Sequence, residues 1–158
     1  MYFFYQLLIL LAVFFSPIIL IIRFFKNKED KKRFIEKFSF IKEKRVKGNL
    51  VWIHVASVGE LMSVLPLINE LEKINYINSI LLTSSTLSSS KIFKKIKFKK
   101  TIHQFFPIDL TFFTSKFIKY WKPKIAIFID SEIWPSMFRN LKKNSVPILL
   151  MNARITNK

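Results

Sequence analysis

The chain has 158 residues, a length within the range of one domain and short for a two-domain enzyme. Its net charge of +17 draws the surface to polyanions, which include nucleic acid, anionic lipid headgroups and phosphorylated substrates. The absence of cysteine and the presence of only two glycines exclude a disulfide framework, a Cys-based metal site and the glycine-rich phosphate loops of nucleotide-binding motifs.

The N-terminal stretch is almost entirely apolar. No charged residue occurs within residues 1–22, and only Gln6, Ser16 and Pro17 interrupt the apolar run. A helix of about 20 such residues spans the roughly 30 Å hydrocarbon core of a bilayer. We expect a retained membrane anchor helix over residues 1–25, because no basic n-region or small-residue cleavage site marks a signal peptide. Pro17 leaves open a kinked helix that dips into one leaflet instead of spanning.

A basic juxtamembrane segment over residues 26–47 follows the apolar run. By the positive-inside rule this segment and the rest of the chain face the cytoplasm. Between Lys31 and Ile41, apolar residues recur at helical spacing among lysines, which predicts a helix that lies in an anionic interface or packs on the domain. Part of the lysine excess has an alternative explanation in genome composition, since charge runs usually decorate solvated surfaces.

After Gly48 the pattern changes to short apolar runs separated by amphipathic stretches. The apolar runs predict five buried strands, at Leu50–Ala56, Ile80–Thr83, Ile102–Phe106, Ile125–Ile129 and Ile148–Met151. The amphipathic stretches predict four helices, at Leu61–Ile74, Leu87–Phe98, Thr111–Trp121 and Trp134–Lys143. This alternation predicts an α/β fold, with a Rossmann-like parallel sheet over residues 48–158. Such sheets bind ligands beyond the carboxyl ends of their strands.

The loop after the first strand, with the sequence SVGE, combines capping and catalytic candidates. Ser57 and Glu60 have the spacing of a capping box, in which each side chain satisfies a free amide of the first helical turn. A carboxylate at this position also faces the ligand crevice, where it can act as a general base toward a substrate hydroxyl. Gly59 lets a substrate approach the backbone closely, so Ser57 and Gly59 are candidate substrate-binding residues. Both interpretations of Glu60 stay open here.

The loop after the fourth strand carries two carboxylates, Asp130 and Glu132. Like charges this close require hydrogen bonds, a cation or a function. One alternative is that one acid caps the helix that Pro135 begins; the other is that both serve a ligand site. His54 and His103 lie inside predicted strands without other ligands at metal-binding spacing, so we expect core or surface histidines and no metal site.

Four sequence segments carry a family resemblance, namely WIHVASVGE (52–60), HQFFPIDL (103–110), IDSEIWPS (129–136) and PILLMNARIT (147–156). Together they resemble the N-terminal domain of the 3-deoxy-D-manno-octulosonic acid (Kdo) transferases, GT-B glycosyltransferases of lipopolysaccharide biosynthesis. The resemblance extends over the apolar N-terminus and its basic flank. It implies that Kdo passes from CMP-Kdo to lipid IVA, the lipid A precursor, at the cytoplasmic face of the bacterial inner membrane.

The resemblance also implies roles for individual residues. The family's general base falls on Glu60, and the acid that helps to stabilise the transition state falls on Asp130, where the family has Glu. Glu132 belongs to the same motif and is a candidate substrate-binding residue. Ser136 stands where the family usually has Asn. The implied transfer is inverting and metal-independent, and it uses no cofactor besides the donor substrate CMP-Kdo.

The family's nucleotide-sugar domain has no counterpart in this sequence, so we expect the chain to bind the acceptor and to be inactive alone. CMP-Kdo would bind only with that C-terminal domain. The alternative is a noncatalytic, membrane-tethered basic module for anionic lipid or nucleic acid. The apolar residues among the lysines of residues 91–100 resemble the core face of a helix more than base-stacking aromatics, so nucleic acid is not an expected partner.

Overall fold

The computed structural model describes residues 2–130 and 132–152 of the chain. Its centre is a five-stranded sheet in the order β3-β2-β1-β4-β5, in which every neighbouring pair is parallel. The strands are β1 (Leu50–Val55), β2 (Ser79–Ser84), β3 (Thr101–Phe105), β4 (Ile125–Ile129) and β5 (Ile148–Met151). This order confirms the predicted Rossmann-like α/β fold. It reverses direction between β1 and β4, so the crevice beyond their carboxyl ends is where such folds bind ligands.

Helices cover both faces of the sheet. They are α3 (Val58–Lys73), α4 (Leu87–Phe93), α5 (Thr111–Trp121) and α6 (Pro135–Lys143). Side chains alternate across a strand, so β1 directs Trp52 to the core that contains α5 and α6 and Ile53 to the core that contains α3. Both side chains are fully buried. This packing on both faces explains why the sequence of β1 is apolar throughout apart from His54.

Helix α4 is shorter than the sequence indicates, since it ends at Phe93 and not at Phe98. The apolar spacing continues past Phe93 because Phe98 folds back and stacks on its ring, with centroids 5.5 Å apart. The backbone amides that follow are taken by Glu72 of α3, which accepts from Lys99, Lys100 and Thr101. A long-range acceptor therefore fixes the segment that joins α4 to β3.

The N-terminal apolar stretch forms two helices, α1 (Tyr2–Phe14) and α2 (Ser16–Phe25), with a bend of 55° between them. In the described part of the chain, no single helix has the length and apolar character to cross a bilayer, although this bent pair meets both criteria together. The expected single membrane helix over residues 1–25 is thus not confirmed. The bend lies at Phe15, and Pro17 occupies the first turn of α2, a position that accepts proline.

The juxtamembrane segment packs on the domain. Its only helical part is a short 3₁₀ helix at Phe34–Phe38. Glu36 is buried and accepts hydrogen bonds from Arg33 and from the Phe105 amide of β3 at 2.9 Å. Phe38 packs edge-on against Phe113 of α5, with centroids 5.7 Å apart. Of the two arrangements that the sequence left open for this segment, the structure has the one that packs on the domain.

Candidate active site

Glu60 lies in the first turn of α3, directly beyond the carboxyl end of β1. Its backbone amide donates to Ser57 Oγ at 3.2 Å, and Ser57 Oγ donates to Glu60 Oε1 at 2.8 Å. The second carboxylate oxygen accepts the amide of Ala56 at 2.7 Å. The capping interpretation of Ser57 and Glu60 is therefore confirmed. The same contacts fix a half-buried carboxylate at the mouth of the crevice.

Gly59 and Ser57 are exposed beside this carboxylate. Gly59 has an ordinary helical conformation, and a Cβ added there would meet only Ser57 Oγ at 3.9 Å. The fold itself therefore does not require glycine at this position. The open space in front of Gly59 is available to a group that approaches from the crevice.

Asp130 follows the last residue of β4, on the other side of the point where the sheet order reverses. Its φ is +56°, a left-handed conformation that Asp adopts more readily than most residues. Its amide donates to Met151 O at 2.8 Å, and its carboxylate accepts from the Asn152 side-chain amide. The turn is thereby held to β5 and to the residue that follows it.

Glu132 comes close to both other acids. Burial raises the pKa of its carboxyl above the usual value, and the charges of Glu60 and Asp130 raise it further. Strands β1 and β4 are parallel neighbours, with His54 opposite Phe128, so the loops that follow them lie at the same end of the sheet. The structure thus places all five candidate site residues of the sequence in these two loops, namely Ser57, Gly59, Glu60, Asp130 and Glu132.

Asp109 caps α6, a role that the sequence had offered to Asp130 or Glu132. Its carboxylate accepts the Ser136 amide at 2.9 Å and the Met137 amide at 2.8 Å. Asp109 is buried, and burial raises the pKa of its carboxyl against the opposing effect of these hydrogen bonds. The acids of the crevice loop are therefore not needed as caps for α6.

Asp109 carries no predicted role in the sequence. The available signal was an acid inside the HQFFPIDL segment, four residues after β3. Its partners lie 27 and 28 residues further along the chain. No local spacing rule connects residues so far apart.

Both histidines are buried in the core, one of the two positions that the sequence left open for them. His54 is fully buried, stacks on Phe106 with centroids 3.9 Å apart and contacts Thr83 Oγ1 at 3.0 Å. Burial lowers the pKa of His54 to about 3, and burial with the charges of Arg33 and Lys94 lowers that of His103 to about 3. Neutral imidazoles thus line the interior. Among the described residues, no three His, Asp or Glu side chains form a metal site.

The chain is similar to known proteins over most of its length. Residues 32–158 match the sequence model of the family described as 3-deoxy-D-manno-octulosonic-acid transferase (kdotransferase). The chain is 40% identical over 158 residues to the 3-deoxy-D-manno-octulosonic acid transferase of Rickettsia bellii, covering 100% of this chain and 37% of that protein. It is 46% identical over 116 residues to that of Rickettsia typhi, covering 73% of this chain and 25% of that protein.

A plant protein is also similar. The chain is 31% identical over 133 residues to the probable mitochondrial 3-deoxy-D-manno-octulosonic acid transferase of Arabidopsis thaliana, covering 84% of this chain and 30% of that protein. The chain thus spans between a quarter and two fifths of the length of these curated relatives. On the strength of the family match over most of its residues, the chain belongs to the 3-deoxy-D-manno-octulosonic-acid transferase family.

Proposed function

We propose that this chain is the acceptor-binding part of a glycosyltransferase that moves Kdo from CMP-Kdo to lipid IVA in lipopolysaccharide biosynthesis. The observation that carries the proposal is the fixed carboxylate of Glu60 at the switch point of the sheet, with Asp130 and Glu132 in the loop that follows the neighbouring strand β4. Membership of the family indicates that Kdo is the transferred sugar. Glu60 provides a base at the edge of the sheet where such folds bind their ligands.

In the proposed reaction, Glu60 accepts the proton of an acceptor sugar hydroxyl. The hydroxyl oxygen forms a bond to the anomeric carbon of Kdo while the bond from that carbon to the CMP phosphate breaks. CMP leaves with the electron pair, and the configuration at the anomeric carbon inverts. Asp130 stabilises the positive charge that develops on the sugar ring, and general-base catalysis by Glu60 supplies about 10²- to 10⁴-fold in rate.

The N-terminal helices support association with the cytoplasmic face of the bacterial inner membrane. Large apolar side chains of α1 and α2 are exposed along the pair, among them Phe4, Phe14, Ile18 and Phe25, the last with 85% of its surface accessible. Their transfer from water into lipid is favourable by about 25 cal/mol per Å² of apolar surface. The acyl chains of the acceptor would then remain in the bilayer beside these helices, with its phosphates near the lysine-rich flank.

The alternative of a noncatalytic basic module has less support. Ile92, Phe93 and Phe98, which alternate with lysines, pack against the core around α3. They are therefore not available to stack on bases. The lysines between them are exposed, as on any solvated face.

The test uses the chain joined to the part of the Rickettsia bellii relative that lies beyond the matched region. Kdo transfer from CMP-Kdo to lipid IVA is measured for this chimera and for Glu60→Gln. We expect Glu60→Gln to lower kcat by about 10²- to 10⁴-fold, because an amide cannot take the proton. The matched control is Glu70→Gln in the same helix, whose side chain is exposed.

Folding of the Glu60→Gln variant is expected to be retained. The glutamine oxygen can still accept from Ala56 and its amide can donate to Ser57, so the first turn of α3 keeps its cap. Wild-type kcat in Glu60→Gln would leave capping as the only role of Glu60. If the parent chimera does not transfer Kdo, binding of lipid IVA to the original chain is measured directly. Absence of that binding would contradict the proposal.

A further inference from the structure

Helices α5 and α6 begin side by side at the carboxyl edge of the sheet, and neither is capped by its own N-cap side chain. Those N-cap residues are Leu110 and Trp134, whose side chains do not accept a hydrogen bond from the first turn. The first amides of a helix have no partner within the helix. Their acceptors must therefore come from elsewhere in the chain.

For α5, the acceptor comes from the N-terminal helix. Gln6 Oε1 accepts the Thr111 amide at 3.1 Å and the Thr111 hydroxyl at 2.6 Å. The nitrogen of the same side chain donates to Ser136 Oγ at 2.6 Å. One amide side chain of α1 thus bridges the first turns of α5 and α6.

For α6, the cap is Asp109, and α1 holds it as well. Tyr5 donates its hydroxyl to Asp109 Oδ2 at 2.7 Å, the oxygen that also accepts the Ser136 amide. Ser136 Oγ donates to the Asp109 carbonyl at 2.6 Å. The contacts of Tyr5 and Gln6 therefore converge on the first turn of α6.

The polar side chains of α1 lie on the face of the helix that contacts the domain. Tyr2, Tyr5 and Gln6 are the three side chains in Tyr2–Phe14 that carry a hydrogen-bonding group, and their spacing puts them on one face. All three bond to the domain, Tyr2 through its hydroxyl to Thr111 Oγ1 at 2.7 Å. A helix that served only as a tether would need apolar residues alone.

The first turn of α6 is continuous with the loop that carries the crevice acids. Trp134, the residue before α6, packs on Phe106 with centroids 5.2 Å apart, and Glu132 stands two residues earlier. A displacement of the α6 start therefore displaces Glu132. Interactions that fix this turn also fix the acids opposite Glu60.

We propose that Tyr5 and Gln6 are positioning residues, through which α1 holds the start of α6 and with it the crevice loop of Asp130 and Glu132. This inference rests on the proposed function, and it makes α1 part of the active-site architecture in addition to a membrane anchor. The depth to which α1 inserts into the lipid then sets the distance between the acceptor crevice and the bilayer.

The experiment compares wild type with Tyr5→Phe, Gln6→Leu and the double variant, using the full chain bound to vesicles of phosphatidylethanolamine and phosphatidylglycerol. Amide hydrogen exchange is followed in the first turns of α5 and α6. We expect the double variant to exchange at least about fivefold faster there, because each lost hydrogen bond contributes about 1 kcal/mol. Exchange in β1 and β4 and binding to the vesicles should not change, since the substitutions keep the apolar surface.

The matched control is Phe4→Leu, a change on the exposed face of the same helix. Unchanged exchange at α6 in the double variant would overturn the inference, whether or not the chain takes part in Kdo transfer. Loss of vesicle binding without faster exchange would also overturn it, because α1 would then act only as an anchor. In the chimera with the Rickettsia bellii part, the double variant should lower kcat with the KM for CMP-Kdo unchanged.

Discussion

Gly59 is important for the open space that it leaves at the crevice, and not for its backbone conformation. It adopts helical angles, and a methyl group would meet no close neighbour. Alanine stabilises a helix interior by about 0.5–1 kcal/mol relative to glycine. We predict that Gly59→Ala raises the free energy of unfolding by up to about this amount and weakens lipid IVA binding, because the methyl occupies the acceptor space.

Urea denaturation and lipid IVA titration of the same preparation check the Gly59 prediction. Met62→Ala is the control, since Met62 is exposed on the same helix outside the crevice loop. An affinity unchanged by Gly59→Ala would show that the acceptor does not approach the first turn of α3.

At the residue scale, the sequence predicts local contacts well and distant ones poorly. Ser57 and Glu60 are three positions apart, so their capping box follows from spacing alone. The partner of Glu36 is the Phe105 amide, 69 residues away, and nothing in the juxtamembrane pattern indicates it. The five crevice residues could be proposed because each lies in a loop after a predicted strand and in a motif of candidate chemistry, whereas the roles of Asp109, Tyr5 and Gln6 depend on tertiary contacts.

Among the elements, the strands are the most predictable because both faces of the sheet are buried along β1 to β4. The expected burial of β5 is wrong, since Leu149 and Leu150 are exposed at the edge of the sheet. Every strand lies within two residues of its predicted bounds, and α5 matches its predicted range. The break between α1 and α2 lies next to Ser16 and Pro17, where the sequence had left a kinked helix open, although the pattern did not give the size of the bend. Apolar composition indicates that a segment contacts apolar surroundings, but it does not give the angle at which a helix bends.

The connection from α4 to β3 depends on one carboxylate, Glu72. Burial opposes the charge of this group, but the amides of Lys99, Lys100 and Thr101 and the Thr101 hydroxyl outweigh it and lower the pKa of Glu72 below 4.5. A folded pKa below the unfolded one means that this stabilisation is complete above the unfolded pKa. It is lost as the pH falls through the folded pKa.

We predict that Glu72→Gln lowers the free energy of unfolding by about 1 kcal/mol at pH 7, because a neutral amide is a weaker acceptor for these donors. The difference from wild type should shrink as the pH falls from the unfolded pKa through the lower folded pKa, because wild-type Glu72 also becomes neutral over this range. Urea denaturation at several pH values measures it. Glu70→Gln, two residues earlier on an exposed surface, is the control. A pH-independent difference between Glu72→Gln and wild type would show that charge is not the cause.

On the scale of the whole molecule, the charge is unevenly distributed. The chain carries a net charge of +17. The two loops at the crevice between β1 and β4, residues 56–60 and 130–135, nevertheless contain three acids and no lysine or arginine. The basic juxtamembrane segment meets the sheet elsewhere, with Arg33 bound to the His103 carbonyl at 2.8 Å on β3. The crevice therefore suits a neutral hydroxyl better than an anion.

This distribution predicts that the chain alone does not bind the donor. CMP-Kdo carries a phosphate and a carboxylate, which Glu60, Asp130 and Glu132 repel, and a departing phosphate needs fixed donors or cations that these loops do not provide. Calorimetric titration with CMP and CMP-Kdo measures this binding. At about 150 mM salt the charges of exposed lysines are screened beyond roughly 8 Å, so the titration reports binding at the crevice and not general attraction to a basic surface. We expect no saturable binding to the chain and micromolar binding to the chimera that carries the rest of the Rickettsia bellii protein. Micromolar binding to the chain alone, abolished by substitutions in the crevice loops, would place the donor in this half and reverse the roles assigned to the two parts of the enzyme.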